Sequence, residues 1–527
     1  MALAIFLALA VLLQWASGAF HSEFGSYADE SAHYVTSLMI RDWISHGFPT
    51  PVMDFAKNYY FHYPKVAFGE WPPLFHIVQA VWMLVFSPAR ASVLLYTASI
   101  AALLALTLFR TMQKEFSSVI AGLAAGAVLI GLPAVQRIAN ADMADLLVAL
   151  LDLWAVLALI RYLERERMRD ALWFGVLTGL SFMTKQNGAA LAVVAFLTIA
   201  LSRRWRVLTR PPLYYAAGIA ILIAGPWQYF VWQFWNRNQV IQTRSPGFGT
   251  VVFLQYCRQL PAAASGAVLV AALLGIWDKV ITPWRAKQVE PRWAAWTALP
   301  MGIVLFHASL PGAIAEPRYL VAALPALLML AAAGVKWLAE KIRWRGPQWQ
   351  PAWLIAALGL ILCVAQVFTI PQKPSFGLSQ AAEDLLRSSD PGDMYLVSSD
   401  SGARDGAFVV EIAMRDSRPG HVVLRAGKLL AISNWMNDHY DLVYGTPEQV
   451  QAYLASLPIS AIVLDGMSDS PPHHKMLREV LRSFPDSWKL AVHYPDTDVY
   501  QRVGPRPPVT GTIRLNMQYT LGYTLER

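Results

Sequence analysis

PPLFHIVQAVWMLVFSPARASVLLYTASIAALLALTLFRTMQK, residues 72–114, holds two apolar runs, and whether one or both cross a bilayer decides the topology of everything downstream. A transmembrane helix needs roughly 20 apolar residues. Residues 91–109 meet that need. Residues 72–88 open on Pro72-Pro73 and carry His76 and Trp82, which suits a helix lying at headgroup level, with proline tolerated in its first turn. Counted as a span, this run would put Arg110 and Lys114 outside and invert the chain that follows. Read as interfacial, it leaves them cytoplasmic.

Working outward from this stretch, further candidate spans are residues 2–19, 117–135, 146–160, 171–184, 189–201, 213–230, 263–280, 293–310, 319–339 and 353–370. With 91–109 they make about 11 transmembrane helices. The basic clusters at Arg110 and Lys114 and at residues 161–169, 203–210, 285–292 and 336–345 then all fall on alternate, cytoplasmic loops. The N-terminus is expected inside and the C-terminal end on the extracytoplasmic side. Residues 1–20 end in Ala16-Ser17-Gly18-Ala19, like a signal-peptide cleavage site, but have no basic n-region, so a retained first span is the expectation.

Composition agrees with this reading. Hydrophobic residues make up 56% of the 527 and charged residues only 15%, so most of the chain needs a solvent other than water. The net charge of +8 lies largely in the short loops between apolar runs, where topology accounts for it, and nucleic acid is not an expected partner. Cys257 and Cys363 build no disulfide framework.

Charged residues return to ordinary frequency beyond residue 379, which divides a membrane domain, 1–370, from a soluble domain, 371–527. Short β-rich runs at residues 394–398, 421–424, 441–444, 461–464 and 488–493 alternate with helical stretches there, an α/β pattern. Thr446-Pro447-Glu448-Gln449 marks a helix start, with Thr446 as N-cap and Gln449 in the capping-box position. No GxGxxG, P-loop or zinc-ligand spacing occurs in this domain.

The outward loops hold the residues that could carry chemistry. Asp29-Glu30 and His33 precede an amphipathic run, and Tyr59-Tyr60-Phe61-His62-Tyr63-Pro64 leads to Gly69-Glu70-Trp71. Aromatic surfaces bearing acids are a common way to hold sugars. Asp142 stands at the mouth of a span, where an acid faces a polar cavity or caps the next helix. Lys185 and Arg318-Tyr319 lie at outward span ends, where positive-inside bias does not explain them; a phosphate ligand and snorkelling to lipid headgroups both fit.

Taken in order, these stretches resemble the C-type-fold membrane glycosyltransferases, the protein O-mannosyltransferase and lipid A aminoarabinose transferase-like family. The resemblance spans residues 2–339 and rests on Asp29-Glu30, Pro72-Pro73-Leu74 after an acid, Asp142, Thr184-Lys185 and Arg318-Tyr319-Leu320. It implies a polytopic all-α fold with the soluble α/β domain appended. It further implies transfer of a sugar from a polyprenyl-phosphate donor to a lipid, glycan or protein acceptor by inverting displacement, at the extracytoplasmic face of a bacterial inner membrane.

By position, the resemblance makes Asp29 the general base with Glu30 its alternative, and Lys185, Arg318 and Tyr319 the donor-phosphate residues. Glu70, Asp142, His33 and His62 then orient the acceptor or a divalent cation. Trp71 stands where the aminoarabinose transferase has a basic residue. A transporter or flippase of a lipid-linked intermediate is the competing reading, but it calls for acids deep within spans, and here most acids sit at outward ends.

Overall fold

The computed structural model describes residues 1–238, 247–310, 315–341, 351–434, 439–466, 468–508 and 512–527. Arg343 and Arg345 of the fifth basic cluster lie outside the described residues, as do parts of the segments between the expected spans 213–230 and 263–280 and between 293–310 and 319–339.

The membrane part is helical. After α1 (Ala2–Ala16) come α2 (Ala28–Ser45), α3 (Val52–His62), α4 (Leu74–Val85), α5 (Arg90–Phe116), α6 (Val119–Gly131), α7 (Pro133–Ala139), α8 (Asp145–Arg165) and α9 (Met168–Thr184). Then follow α10 (Ala190–Leu201), α11 (Pro211–Asn238), α12 (Phe248–Ala264), α13 (Gly266–Ile276), α14 (Thr282–Arg285), α15 (Pro291–Ser309), α16 (Leu324–Lys341) and α17 (Pro351–Val367).

Every one of the eleven apolar runs falls on helix. Among the described residues, 4 helices are by themselves long and apolar enough to cross a bilayer, or up to 5 with α6 and α7, which bend by 64° at Leu132-Pro133, counted as one span. With 12 residues, α4 is about 18 Å long, short of a hydrocarbon core of about 30 Å. Its Ile77, Val81 and Val85 are exposed while Phe75, His76 and Gln79 are buried, so its outer face is apolar and its polar side chains point into the protein.

One helix escaped the sequence reading. Residues 248–262 were left between the expected spans 213–230 and 263–280, with 263 and 264 opening the second of these, and Gln255, Arg258, Gln259 and Pro261 interrupt the apolar pattern there. Phe248–Ala264 forms α12, which seats Val252 and Tyr256 in the bundle against α15. Small residues let α13 and α16 approach closely, since a Cβ on Gly334 would overlap the Ala271 carbonyl. The first helix is tied in by a side chain: Gln14, fully buried, donates from Nε2 to the carbonyls of Leu94 and Ala139, each at 2.8 Å.

Beyond residue 371 the chain forms a mixed five-stranded sheet. Strands β1 (Met394–Ser399), β2 (Val422–Arg425), β3 (Ala431–Ser433), β4 (Tyr440–Leu442), β5 (Ile459–Asp465), β6 (Trp488–His493), β7 (Thr497–Arg502), β8 (Arg514–Met517) and β9 (Tyr523–Glu526) occur in that order. The main sheet runs β2-β1-β5-β7-β6, with β1 parallel to β2 and β5, and β7 antiparallel to β5 and β6. Leu396 of β1 lies between Leu424 and Ile462.

Thr446 Oγ1 caps its helix by accepting from the Gln449 amide, while the Gln449 side chain reaches back to the amide of Gly445 at 2.9 Å. Strand β7 was not anticipated, because Thr497-Asp498-Val499-Tyr500-Gln501-Arg502 alternates on a polar background.

The sheet shares its core with the segment between α1 and α5. Tyr34 and Leu38 of α2 and Tyr59 and Tyr60 of α3 pack in one hydrophobic cluster with Val397, Phe408 (in the helix Gly402–Arg415) and Ile462. Polar ties cross the same boundary. The Tyr63 hydroxyl donates to Asp416 at 2.7 Å, and Arg418 Nε donates to Asp42 at 2.8 Å.

Candidate functional site

The site is built on the first turn of α2. Tyr27 is extended and serves as N-cap, which places Asp29 and Glu30 in the first turn, where the helix dipole favours acids. Successive helical side chains diverge by about 100°, so the two carboxylates face different surroundings. Glu30 turns inward and is wholly buried. It accepts from the amides of Ser26 and Asp142 and from Lys373 Nζ at 2.7 Å. This saturates a charge that would otherwise be costly to bury.

Asp142 joins the same inner cluster, accepting from Gln79 at 2.5 Å, and burial holds its carboxyl well above the usual carboxylate range. It does not cap the following helix, whose N-cap is Ala144. His33, buried one turn after Glu30, shares a hydrogen bond of 3.0 Å with His76 and lies against Trp71. Burial and the neighbouring His76 hold His33 well below the usual imidazole range, so it is neutral at physiological pH.

Asp29 turns the other way, towards the membrane cations. Arg318 Nη1 donates to its Oδ2 at 2.8 Å, and Arg318 Nη2 donates to Glu316 at 3.2 Å. Lys185 Nζ is chelated by both oxygens of Asp145 at 2.9 and 3.0 Å. Tyr319 stands between the two cations, its ring centre 4.9 Å from Lys185 Nζ and 5.2 Å from the Arg318 guanidinium, with His307 stacked on it at 5.0 Å. Lys185 and Arg318 are both buried. Side chains on the protein itself therefore engage them, and three carboxylates nearby hold two cations in place.

On its second side Asp29 opens onto a cavity of about 380 Å³ between the first loop and the C-terminal domain. The loop contributes Lys65, Glu70 and Trp71; the C-terminal domain contributes Asp405, Arg425, Lys428, Tyr440 and His473. Burial, with Asp29 alongside, pushes the Glu70 carboxyl up to about 8. Burial and the nearby Arg425 pull both Lys65 and Lys428 down to about 8.

The Asp29–Arg318 ion pair thus links two groups, Lys185, Arg318 and Tyr319 on one side and Glu70 across the cavity on the other, while Glu30, Asp142 and His33 lie behind Asp29. His62 is elsewhere, with Nδ1 3.1 Å from the His421 carbonyl and Nε2 accepting from Arg527. Among the described residues no three His, Cys, Asp or Glu side chains gather where they could hold a metal ion, and Glu70 and Asp142 belong to separate clusters.

Sequence reasoning missed Asp145, Lys65 and the residues from the C-terminal domain. Asp145 had a signal: with Asp152 it is spaced seven residues apart on one face of a span, where acids are expensive. Arg425 and Lys428 had none, since nothing local links them to a loop some 350 residues earlier.

Residues 70–230 match the family model of dolichyl-phosphate-mannose-protein mannosyltransferase. None of the curated proteins matches the chain. Among solved structures, ArnT from Cupriavidus metallidurans in the apo state aligns with a TM-score of 0.61 at 16% identity, covering 95% of this chain and 99% of that one. The same protein bound to undecaprenyl phosphate aligns with a TM-score of 0.57 at 15% identity over the same shares, 95% and 99%. The chain is a multi-pass membrane protein with the C-type glycosyltransferase fold.

Proposed function

We propose that this C-type-fold membrane protein transfers a sugar from a polyprenyl-phosphate donor to an acceptor at the extracytoplasmic face of a bacterial inner membrane. The observation that carries the reading is the position of Asp29, which faces the buried cations Arg318 and Lys185 on one side and the polar cavity on the other. The solved relative bound to undecaprenyl phosphate supports a lipid-phosphate ligand for those cations.

Chemically, Asp29 takes the proton from an acceptor hydroxyl or amine as that atom forms its bond to the anomeric carbon. The bond from the anomeric carbon to the phosphate oxygen breaks with inversion, and the lipid phosphate leaves with the electron pair. Arg318 and Lys185 stabilise the charge it gathers. Their present carboxylate partners make donor binding an exchange reaction. A phosphate that takes an N–H of Arg318 releases Asp29 from that ion pair, freeing the base as the donor arrives. Glu70, at the cavity wall, orients the acceptor.

The test is transfer of radiolabelled sugar from a polyprenyl-phosphate donor pool by the full chain in lipid nanodiscs. Incorporation that requires Asp29 and is lost in Asp29→Asn supports the reading. Intact donor from a folded wild-type protein, across a varied pool of donors and acceptors, would overturn it.

A further inference from the structure

The C-terminal sheet has a switch point. Its chain runs from β1 through a helix to β2 on one side, and later returns to β5 on the other, all three strands parallel. In such sheets the crevice beyond the carboxyl ends of the strands is where ligands bind. Here that crevice faces Lys65, Glu70 and Trp71 of the first loop. It is the upper wall of the cavity above Asp29, lined by Ser399 at the end of β1, Arg425 at the end of β2, and Gly427 and Lys428 just beyond.

The charges on this wall are unbalanced. Asp405 is shared by Arg425 Nε at 2.8 Å and Lys65 Nζ at 3.6 Å, and Lys65 also donates to the Gly402 carbonyl at 2.8 Å. Lys428, half-buried on the same wall, makes no hydrogen bond or ion pair among the described residues. Three cations therefore face one ionised carboxylate. The other acids of the cavity do not redress this, because Asp29 is matched by Arg318 and burial keeps Glu70 largely protonated at neutral pH. A desolvated cation without a partner is costly to maintain, and an incoming oxyanion removes that cost.

We propose that Lys428, Arg425 and Lys65 form an anion subsite at the carboxyl edge of the C-terminal sheet, which seats a phosphate or carboxylate group of the acceptor above Asp29. The inference rests on the glycosyl-transfer reading for the word acceptor only; the anion site stands on its own geometry. Gly427 belongs to the same edge, where an added Cβ would come 3.2 Å from His473 and narrow the cavity.

Amine acylation tests this directly on the full chain in nanodiscs. Modification of Lys428 by an N-hydroxysuccinimide ester is read by peptide mass spectrometry in the presence of inorganic phosphate, glucuronate or glucose. Phosphate or glucuronate should slow acylation of Lys428 roughly tenfold at nine-tenths occupancy, glucose should not, and the more effective anion identifies the group recognised. Arg425→Gln should weaken that protection, and Lys65→Gln serves the same purpose should the first variant fail to fold. Equal Lys428 acylation with both anions and with glucose would overturn the proposal. Protection without sugar transfer would leave the anion subsite standing and remove the transfer reading, so the two fail separately.

Discussion

Arg318 Nη1 lies 2.8 Å from Asp29 Oδ2 across 289 residues of sequence, so the cation assigned to the donor phosphate also holds the carboxylate assigned to the proton. Lysine at this position offers a point charge in place of a planar fork and cannot bridge Asp29 and Glu316 in the same way. Arg318→Lys should therefore lower transfer by about 10–100-fold, or about 1.4–2.7 kcal/mol, with the donor KM rising. Steady-state kinetics against donor concentration checks it.

Asp29→Asn keeps the size of the side chain and removes the base. Transfer should fall by about 10²–10⁴-fold in kcat, the usual contribution of a positioned general base, with the thermal unfolding midpoint close to wild type. A variant retaining more than a tenth of wild-type kcat would require another base.

Stability should pass through a minimum near pH 8. Glu70 is held at about 8, above its ordinary 4.5, so its contribution is fully present below pH 4.5 and is lost as pH rises through 8. Lys65 and Lys428, held at about 8 against an ordinary 10.5, act in the opposite sense: the unfolded chain binds more protons between those values, and stability recovers as pH rises through them. Thermal unfolding of the nanodisc-embedded protein across this range should show the minimum, with Glu70→Gln flattening its acid side and Lys428→Met its alkaline side.

Asp42 is 2% exposed and receives Arg41 at 2.6 Å, Arg418 at 2.8 Å and the Tyr59 hydroxyl at 2.9 Å. Asp42→Ala leaves Arg418 facing a buried void at the junction of the first loop and the C-terminal domain, a loss of roughly 3–5 kcal/mol. Limited proteolysis should then cleave between residues 415 and 421 in the variant at protease levels that spare the wild type.

How much of this was legible in the sequence depends on how local the cause was. The apolar runs became helices because bilayer-length hydrophobicity is read residue by residue, and Thr446 and Gln449 capped their helix for the same local reason. Asp29, Lys185 and Arg318 stood out as charges at outward span ends, and the fold draws them together. Glu30 was adjacent to Asp29 in sequence and equally acidic. Only the turn of the helix, and Lys373 arriving from 343 residues away, sends it to the interior. The cavity's upper wall was invisible for a similar reason: Arg425 ends an ordinary β-strand and Lys428 follows it, and their role depends on which loop that strand edge faces.

The shared core has a consequence for how the protein is made. Tyr63 is synthesised 353 residues before Asp416, its hydrogen-bond partner, an interval of roughly 20–70 s at ordinary elongation rates. Throughout that time the first loop waits beside the membrane with Tyr34, Tyr59 and Tyr60 lacking the surface that will cover them. A ribosome halted near residue 370 would deliver a nearly complete membrane bundle carrying a sticky, uncovered loop, a species for chaperones and proteases to recognise.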